Sequence, residues 1–406
     1  MKRLCIFCFF DRQGIADESV EYLLNDLKLN ADRLIIAVNG KIDKSSEQKL
    51  LKYTKEIVKR DNKGFDAGAY KHVLFNYLKP ADVKKYDELI LCNDTFFGPF
   101  VPFSRIFENM AETKCDFWGI NSVNWSFMEH IQSFFLVFRD QIIQDNDFYR
   151  YWEENIDENT QELEEVYAKF EAGLFWYLTE EKKKSFSSYV SPNNCDIYVS
   201  IGRCIRQYKI PLIKKKALKN SQNKDNIMDA LQYLYSEGIY PVEYIISYAD
   251  RVYGVKISEE EVKNYTVDEE KIKEKTYIDA EITTEEFKRR LALSEGFYIY
   301  GTGIWARKIY WNLCRDNKNF KGFIVSDLKK LKTDRLYGYK ILQFDKVNIN
   351  KGFDIVLGVN KANTINILTA NKNKMDKRRI ISIFPRTVEK IYEKEAYRHN
   401  FDTIIV

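Results

Sequence analysis

The stretch 58–101 constrains the fold most, because it combines two short apolar runs with polar turns and a helical pattern. It holds a strand ending near Arg60, a glycine-bearing turn, a helix, and an apolar run at 89–92 that leads into Asn93-Asp94-Thr95. Short, wholly apolar strands are typical of parallel sheets that are covered on both faces. The stretch therefore predicts a strand–helix–strand unit, in which Asp66 is the expected N-cap of the helix.

The same rhythm extends towards the start of the chain, where strand and helix patterns alternate. Strands are predicted at 3–10, 33–38 and 56–59, and helices at 17–27 and 46–54. This alternation predicts a parallel sheet, and ligands of such sheets bind beyond the carboxyl ends of the strands. Polar residues at these ends are expected to meet at one edge and bind a nucleotide: Asp11, Asn39, Arg60 and, nearest the diphosphate, Asp94.

The alternation weakens after residue 94. Helical patterns cover 102–111, 161–178 and 226–238, and strand patterns cover 117–121 and 131–138. A loop that holds Trp125 separates these two strands. Residues 186–219 are expected to be irregular.

Composition and pattern shift again near residue 254, which indicates a second folded region. Residues 254–293 are rich in Glu, Lys and Thr and predict a helical connector, and at Gly296 a new βαβ pattern begins. We therefore predict an α/β domain at 1–253, the connector at 254–293, and a smaller Rossmann-like α/β domain at 294–406. Its strands are expected at 297–300, 321–326, 354–358 and 379–384, with a helix ending near residue 314.

Bulk charge and cysteine usage exclude some classes of function. Lys and Arg number 64 against 60 Asp and Glu, a net charge of +4, which argues against a dedicated nucleic-acid-binding protein. The lysine runs 182–184 and 214–216 are interpreted as solvated faces rather than as patches for an anionic membrane. Seven cysteines at irregular spacing suit a reducing cytoplasm. No apolar run approaches the ~20 residues that cross a bilayer, so any membrane association is expected to be peripheral.

A set of motifs in the first 250 residues resembles a known family. Asn62-x-Gly64-Phe65-Asp66-x-Gly68-Ala69, followed by Asn93-Asp94-Thr95-x-x-Gly98-Pro99, is similar to the rhamnan synthesis F family of bacterial glycosyltransferases. More loosely, these motifs resemble GT-A rhamnosyltransferases. The resemblance continues in Asp116-Phe117-Trp118-Gly119-Ile120, in His130-Ile131-Gln132-Ser133-Phe134-Phe135 and in Phe170-Glu171-x-Gly173-Leu174.

This resemblance implies a GT-A-like fold and transfer of a sugar, usually L-rhamnose from dTDP-rhamnose, with inversion. The implied partners are a nucleoside diphosphate sugar as donor, a cell-surface polysaccharide or lipid-linked glycan as acceptor, and other polysaccharide-assembly proteins. The implied location is the cytoplasm, at the inner face of the plasma membrane. No nucleic-acid partner is expected.

The donor site is assigned to the strand ends. Asp94 is expected to hold Mg²⁺ or Mn²⁺ against the diphosphate, since magnesium needs few protein ligands when phosphates supply the others. The D-x-D pattern is incomplete, and a turn aspartate is the alternative for this residue. Further donor-binding candidates lie at the neighbouring turns: Asp11, Asn39, Arg60, Asn62, Gly64, Asp66, Gly68 and Asn93. Turn formation and helix capping are the alternative roles of the residues in the 62–68 turn.

Glu171 is the candidate general base, because transfer with inversion needs a carboxylate that accepts the acceptor's proton. Burial on an apolar helix face is expected to raise its pKa. A purely structural acid is the alternative, and Asp116 is the second candidate base. His130 and Gln132 are assigned to acceptor hydroxyls, with a structural histidine as the alternative.

The second region carries Gly301-x-Gly303-x-x-Ala306 between a predicted strand and helix, with Asp327 ending the next strand. This spacing fits a dinucleotide fingerprint but also plain tight turns, and no bound dinucleotide is expected. Two rival hypotheses stay open: a GT-A-like regulatory protein that has lost activity, and an NAD-dependent enzyme centred on Gly301, Gly303 and Asp327.

Overall fold

The computed structural model describes residues 1–123, 130–190, 197–198, 201–219, 224–266, 284–331, 333–346, 353–359, 361–371, 380–383 and 388. The described residues up to 266 belong to one compact unit, and those from 284 onward belong to a second. The predicted loop around Trp125 lies outside the described residues.

The first unit is built on a mixed sheet with a parallel half and an antiparallel half. Four neighbouring strands run parallel in the order β3-β2-β1-β4, and β8, β6 and β7 then continue the sheet in antiparallel fashion, with β9 parallel to β6. A separate antiparallel pair joins β5 and β10. The strands are β1 Arg3–Phe9, β2 Arg33–Asn39, β3 Ile57–Arg60, β4 Glu88–Asn93, β5 Phe96–Phe97, β6 Phe117–Val123, β7 His130–Ile131, β8 Phe135–Arg139, β9 Phe186–Val190 and β10 Ile213–Lys214.

Helices cover both faces of this sheet. They are α1 Glu18–Asn30, α2 Lys44–Leu50, α3 Phe65–His72, α4 Pro80–Val83, α5 Phe103–Ala111, α6 Asp140–Ile143, α7 Asn146–Asn155, α8 Leu163–Val166, α9 Ala172–Trp176, α10 Ile201–Tyr208, α11 Lys224–Ser236, α12 Val242–Tyr253 and α13 Glu259–Lys263. Wider π-helical turns extend α3 through Val73–Tyr77, join α8 to α9 through Tyr167–Glu171, and extend α9 through Tyr177–Glu181.

The alternation of side chains along β1 shows how the two covered faces arise. Successive side chains of a strand point to opposite faces, so a wholly apolar strand needs packing on both. One buried cluster takes Leu4, Ile6 and Cys8. A second cluster on the other face takes Cys5, Phe7 and Phe9. This arrangement confirms the prediction of a covered α/β sheet.

Several local predictions in the first unit are wrong. The N-cap of α3 is Gly64, at φ +64°, and Asp66 lies within the first turn. The predicted strand 131–138 is divided between β7 and β8, with Ser133 between them. The segment 186–219 is not irregular where it is described, because it contains β9, α10 and β10, whose short lengths give little periodic signal.

The second unit is a smaller α/β domain, as predicted. Its strands follow the order β13-β14-β12-β11-β15-β16, and the β13–β14 pair alone is antiparallel among the described strands. They are β11 Phe297–Tyr300, β12 Phe320–Val325, β13 Arg335–Leu336, β14 Tyr339–Gln343, β15 Asp354–Leu357 and β16 Ile380–Ile381. The helices are α14 Thr284–Ala292, α15 Ile304–Ile309, extended by a π-helical turn Tyr310–Cys314, and α16 Lys361–Ala370.

The region predicted as a connector, 254–293, contributes to both cores. Val262 of α13 is buried in the core of the first unit. Phe287 and Leu291 of α14 are buried in the core of the second. Among the described helices of either unit, none is both long and apolar enough to cross a membrane.

Candidate active site

Two pairs of consecutive residues form the centre of the candidate site in the first unit. Asn93 is the last residue of β4 and Asp94 follows it, while Lys214 is the last residue of β10 and Lys215 follows it. All four side chains are buried. The site has two sides, because successive side chains of a strand point in opposite directions. On one side Asn93 is linked to Lys214 through Thr95, and on the other Asp94 lies near Lys215.

The Asn93 side is a chain of hydrogen bonds from a carboxylate to an ammonium. Asn93 Nδ2 donates to Asp66 Oδ2 at 2.7 Å, and Thr95 Oγ1 donates to Asn93 Oδ1 at 2.6 Å. Lys214 Nζ donates to Thr95 Oγ1 at 2.6 Å and lies 4.1 Å from the ring centre of Phe134. Burial lowers the pKa of Lys214 to about 7, against the attraction of nearby carboxylates. Burial likewise raises the pKa of Asp66.

The Asp94 side holds a carboxylate that is incompletely neutralised. Lys215 Nζ lies 3.8 Å from Asp94 Oδ2, beyond hydrogen-bond distance, and 4.5 Å from the ring centre of Tyr248. Burial raises the pKa of Asp94 to about 6, and the charges of Asp17 and Asp11 add to the effect while Lys215 opposes it. A further positive charge beside Asp94 would therefore be favourable.

Arg251 of α12 binds two acids of the first strand–helix loop. Its guanidinium donates to Asp11 Oδ2 and to Asp17 Oδ2, each at 2.9 Å. The other carboxylate oxygen of Asp11 accepts the backbone N–H of Gln13 at 2.8 Å, so this donor-binding candidate is engaged with its own loop and with Arg251. Arg251 was not predicted as a site residue, since 240 positions separate it from Asp11 in the sequence.

Glu171 is enclosed by hydrogen-bond donors. Its Oε2 accepts the backbone N–H of Ser133 at 2.9 Å and the Ser133 hydroxyl at 2.6 Å, and its Oε1 lies 3.3 Å from His130 Nε2. Burial acts to raise the pKa, but the contacts with His130 and Ser133 outweigh it and lower the pKa to about 2. The prediction of a raised pKa for Glu171 is therefore wrong, because burial on the helix face is outweighed by hydrogen-bond partners from the β7–β8 turn.

The two predicted acceptor-binding residues, His130 and Gln132, are both buried, and His130 lies beside this carboxylate. His130 Nε2 also lies 3.3 Å from the hydroxyl of Tyr167. Gln132 Oε1 accepts the Asn121 amide at 2.6 Å. Both side chains therefore have structural partners, and their assignment to the acceptor stays a prediction.

The turn between β3 and α3 is held by internal contacts. Arg60 donates to Asn39 Oδ1 at 2.9 Å and to the backbone carbonyl of Glu158 at 3.0 Å. Asn39 in turn donates to the carbonyl of Phe65 at 2.8 Å. Asn62 is half-buried near Gly40. These contacts position the turn, and donor binding by its side chains stays a prediction.

The glycines of this turn allow close packing of the chain on itself. A Cβ on Gly64 would lie 2.7 Å from the carbonyl oxygen of Glu158, and one on Gly68 would lie 2.8 Å from that of Lys63. The Gly64 N–H donates to the Thr160 carbonyl at 2.7 Å. At both positions the chain's own backbone makes the close approach, and donor binding by these glycines stays a prediction.

Asp116 lies at the other end of the strands from the candidate site. It precedes β6, which runs in the same direction as β4, so it lies level with Glu88 at the start of β4. A strand of this length spans roughly 17 Å. The Asp116 carboxylate accepts the Ser185 N–H at 2.7 Å and its hydroxyl at 2.8 Å. The structure places Asp116 apart from the cluster, and its role as second candidate base stays a prediction.

The lysine run 214–216 is another correction. Lys214 and Lys215 are buried and only Lys216 is exposed, so the run is not a solvated face. Their partners are Thr95 and Asp94, which follow β4, and Tyr248 of α12, and a local charge pattern does not reveal them.

The fit of a divalent cation rests on Asp94. Within the described residues, no three His, Cys, Asp or Glu side chains are grouped as a metal site. A magnesium ion bound with substrate phosphates needs only one or two protein carboxylates. The buried, incompletely neutralised carboxylate of Asp94 fits that requirement.

Among the described residues, the equivalent edge of the second unit carries fewer buried charges than that of the first. Gly301 has φ +113°, and a Cβ there would lie 3.0 Å from the Gly358 carbonyl. A Cβ on Gly303 would meet nothing within 4 Å. Asp327 accepts the N–H of Lys329 at 2.9 Å and so caps its own turn. These residues account for tight turns, and dinucleotide binding by them stays untested.

Comparison with known proteins gives a family and distant relatives. The family model described as rhamnan synthesis protein F matches residues 34–288. An uncharacterized protein of Sinorhizobium fredii is 24% identical over 37% of this chain and 39% of its own length. The virulence protein VirA of Vibrio anguillarum is 26% identical over 43% of this chain and 56% of its own. The chain thus spans about half the length of these relatives or less.

Among solved structures, HddC from Yersinia pseudotuberculosis is similar over 47% of this chain and 91% of its own, at 14% identity and a TM-score of 0.28. A cytidylyltransferase from Leptospira borgpetersenii is similar over 66% of this chain and 99% of its own, at 13% identity and a TM-score of 0.33. Likenesses of this strength do not bear on function.

Proposed function

The chain belongs to the rhamnan synthesis protein F family, and from this premise we propose that it is a glycosyltransferase using a nucleoside diphosphate sugar. The observation that carries the proposal is the meeting of Asp66, Asn93, Asp94 and two buried lysines at the carboxyl end of β4. Nucleotides bind at this edge in open α/β sheets. Buried charges without a structural need are typical of functional sites.

The proposed donor is dTDP-L-rhamnose, and the proposed reaction is transfer with inversion to a cell-surface polysaccharide or lipid-linked glycan. The family description, rhamnan synthesis, supports rhamnose as the sugar. We place the reaction in the cytoplasm, at the inner face of the plasma membrane, together with other polysaccharide-assembly proteins.

A magnesium or manganese ion would be held by Asp94, where it would neutralise diphosphate charge. The protein's own side chains would bind and orient the donor. The Asp66–Asn93 pair would orient the donor sugar, and the buried lysines would face the phosphates.

Glu171 is the proposed base. The lowered pKa keeps it ionised at neutral pH, so it is always in the proton-accepting form. Its oxygens are already bonded to Ser133 and His130, and an acceptor hydroxyl would replace one of these donors. Asp66 is a second carboxylate near Glu171, and burial raises its pKa, which makes it a stronger base than Glu171.

A thermal-shift panel of nucleoside diphosphate sugars, with and without Mg²⁺ or Mn²⁺, tests the donor. We expect dTDP-rhamnose to stabilise the protein, more so with metal, because a ligand that binds only the folded state raises its stability. Donor hydrolysis or transfer should accompany binding. Binding without turnover would favour the catalytically impaired alternative, and no binding of any donor would contradict the proposal.

Glu171→Gln tests the base. Positioned general bases contribute ~100- to 10,000-fold in rate, so turnover should fall at least ~100-fold while donor affinity stays near wild type. If turnover is nearly normal, the role passes to Asp66, and Asp66→Asn becomes the decisive variant.

A further inference from the structure

Lys214 is a buried cation whose position the fold alone does not explain. Its residue is 5% exposed, and lysine is almost never buried to this degree without paired charges. Burial of an ammonium costs free energy unless hydrogen bonds or charges compensate. The hydroxyl oxygen of Thr95, the residue after Asp94, accepts one hydrogen bond from Lys214 Nζ.

The other protons of this ammonium have no matching acceptor among the side chains that the structure describes. An ammonium carries three protons, and Thr95 Oγ1 accepts one. The nearby carboxylates of Glu171 and Asp66 attract Lys214 but form no ion pair with it within the described residues. Each of these carboxylates is held by other donors, Glu171 by Ser133 and His130 and Asp66 by Asn93 and its own helix. The face of the Phe134 ring lies 4.1 Å from Lys214 Nζ, but within the described residues only Thr95 Oγ1 accepts a hydrogen bond from this ammonium, which leaves its other protons to a ligand.

The place of Lys214 in the sheet indicates the ligand's chemistry. It lies beside the carboxyl end of β4, where the donor's diphosphate is expected to bind next to Asp94. A diphosphate oxygen takes the hydrogen bonds of an ammonium well and compensates its charge. A neutral sugar hydroxyl would leave the buried charge without compensation.

We propose that Lys214 is a catalytic residue that binds the donor's diphosphate and stabilises it as it leaves. This inference rests on the proposed glycosyltransferase function and names a residue for it. In the step, the bond between the anomeric carbon and the β-phosphate oxygen breaks, and both electrons stay on that oxygen. The acceptor oxygen forms the new bond to the anomeric carbon, and its proton passes to the carboxylate base. Lys214 donates to the oxygen on which charge develops.

The test compares Lys214→Met with Lys216→Met. Both remove one positive charge from the same run, but Lys216 is exposed. Loss of a single charge-stabilising donor typically costs ~100- to 1,000-fold in turnover, which we expect for Lys214→Met and not for Lys216→Met. Lys214→Arg keeps the charge and should recover part of the lost rate.

Binding of dTDP and of thymidine, measured by calorimetry with each variant, separates catalysis from structure. Weaker dTDP binding with unchanged thymidine binding in Lys214→Met supports the proposal. Equal loss of both ligands, or turnover within threefold of Lys216→Met, overturns it. If Lys214→Met does not fold, the same two titrations on Lys214→Arg decide. A structural role predicts the wild-type ratio of dTDP affinity to thymidine affinity, and a phosphate-binding role predicts a changed ratio. A wild-type protein that binds no nucleoside diphosphate would instead overturn the proposed function itself.

Discussion

Two sheet edges in this molecule share a topology but differ in what they bury. In the first unit, β1 and β4 run parallel, and beyond β4 lie the buried Asp94, Lys214 and Lys215. In the second unit, β11 and β15 also run parallel, and a glycine turn follows β11. There Asp327 caps its own turn, and a hydroxyl contact joins Tyr300 to Ser326 at 3.0 Å.

The difference shows that a parallel sheet edge offers a place for a ligand but does not by itself make a site. Buried ionisable groups cost stability, so they persist where a function uses them. Asp94 and Lys214 are such groups. Among the described residues of the second edge, Asp327 has a turn-capping role, and dinucleotide binding there stays a prediction.

The largest expected difference between the edges is in activity. Asp94→Asn should reduce transfer by about 1,000-fold, because it removes the charge proposed to hold the metal and diphosphate. Asp327→Asn, the matched change in the second unit, should leave turnover within about twofold. Steady-state rates on the donor found in the panel check both. Equal losses would show that the second edge also takes part in catalysis.

A second contrast concerns acid stability. The folded-state pKa of Glu171 is about 2 against an ordinary 4.5, so its stabilising effect is complete above pH ~4.5 and is lost as pH falls towards 2. The shift corresponds to roughly 3 kcal/mol of unfolding free energy. Urea unfolding between pH 5 and pH 2.5 should therefore show a steeper loss for wild type than for Glu171→Gln.

Glu286 of the second unit provides the control for that measurement. Its pKa is also lowered, chiefly by Arg289 and then by Arg290, but the contacts lie on a partly exposed helix. Glu286→Gln should therefore change the acid dependence less. The same slope in all three proteins would contradict the enclosed state of Glu171.

The smallest contrast compares two glycines at corresponding turns. An alanine at Gly64 would meet the Glu158 backbone and would need a positive φ, which together cost about 2 kcal/mol or more. An alanine at Gly303 has open space and should cost less than about 1 kcal/mol. Melting temperatures of the two variants test this. A stable Gly64→Ala would mean that the 158–160 segment can move aside.

The strand ends and their polar residues were predictable because they are encoded locally. Apolar runs such as 89–92 and the glycine turns lie within short stretches, and backbone propensity decides them. Asn93, Asp94 and Asp66 were thus placed at one edge from the sequence. The family model covers all three of these residues.

Other features depended on partners that lie far away in the chain. Lys214 reaches Thr95 across 119 positions, and Arg251 reaches Asp11 across 240. Only the folded sheet brings such groups together. From the sequence alone, the lysine run 214–216 was therefore interpreted as a solvated face. Ser133 and His130 likewise decide the direction of the Glu171 pKa shift. Hydrogen bonds to a buried carboxylate depend on tertiary geometry and leave no local pattern in the sequence.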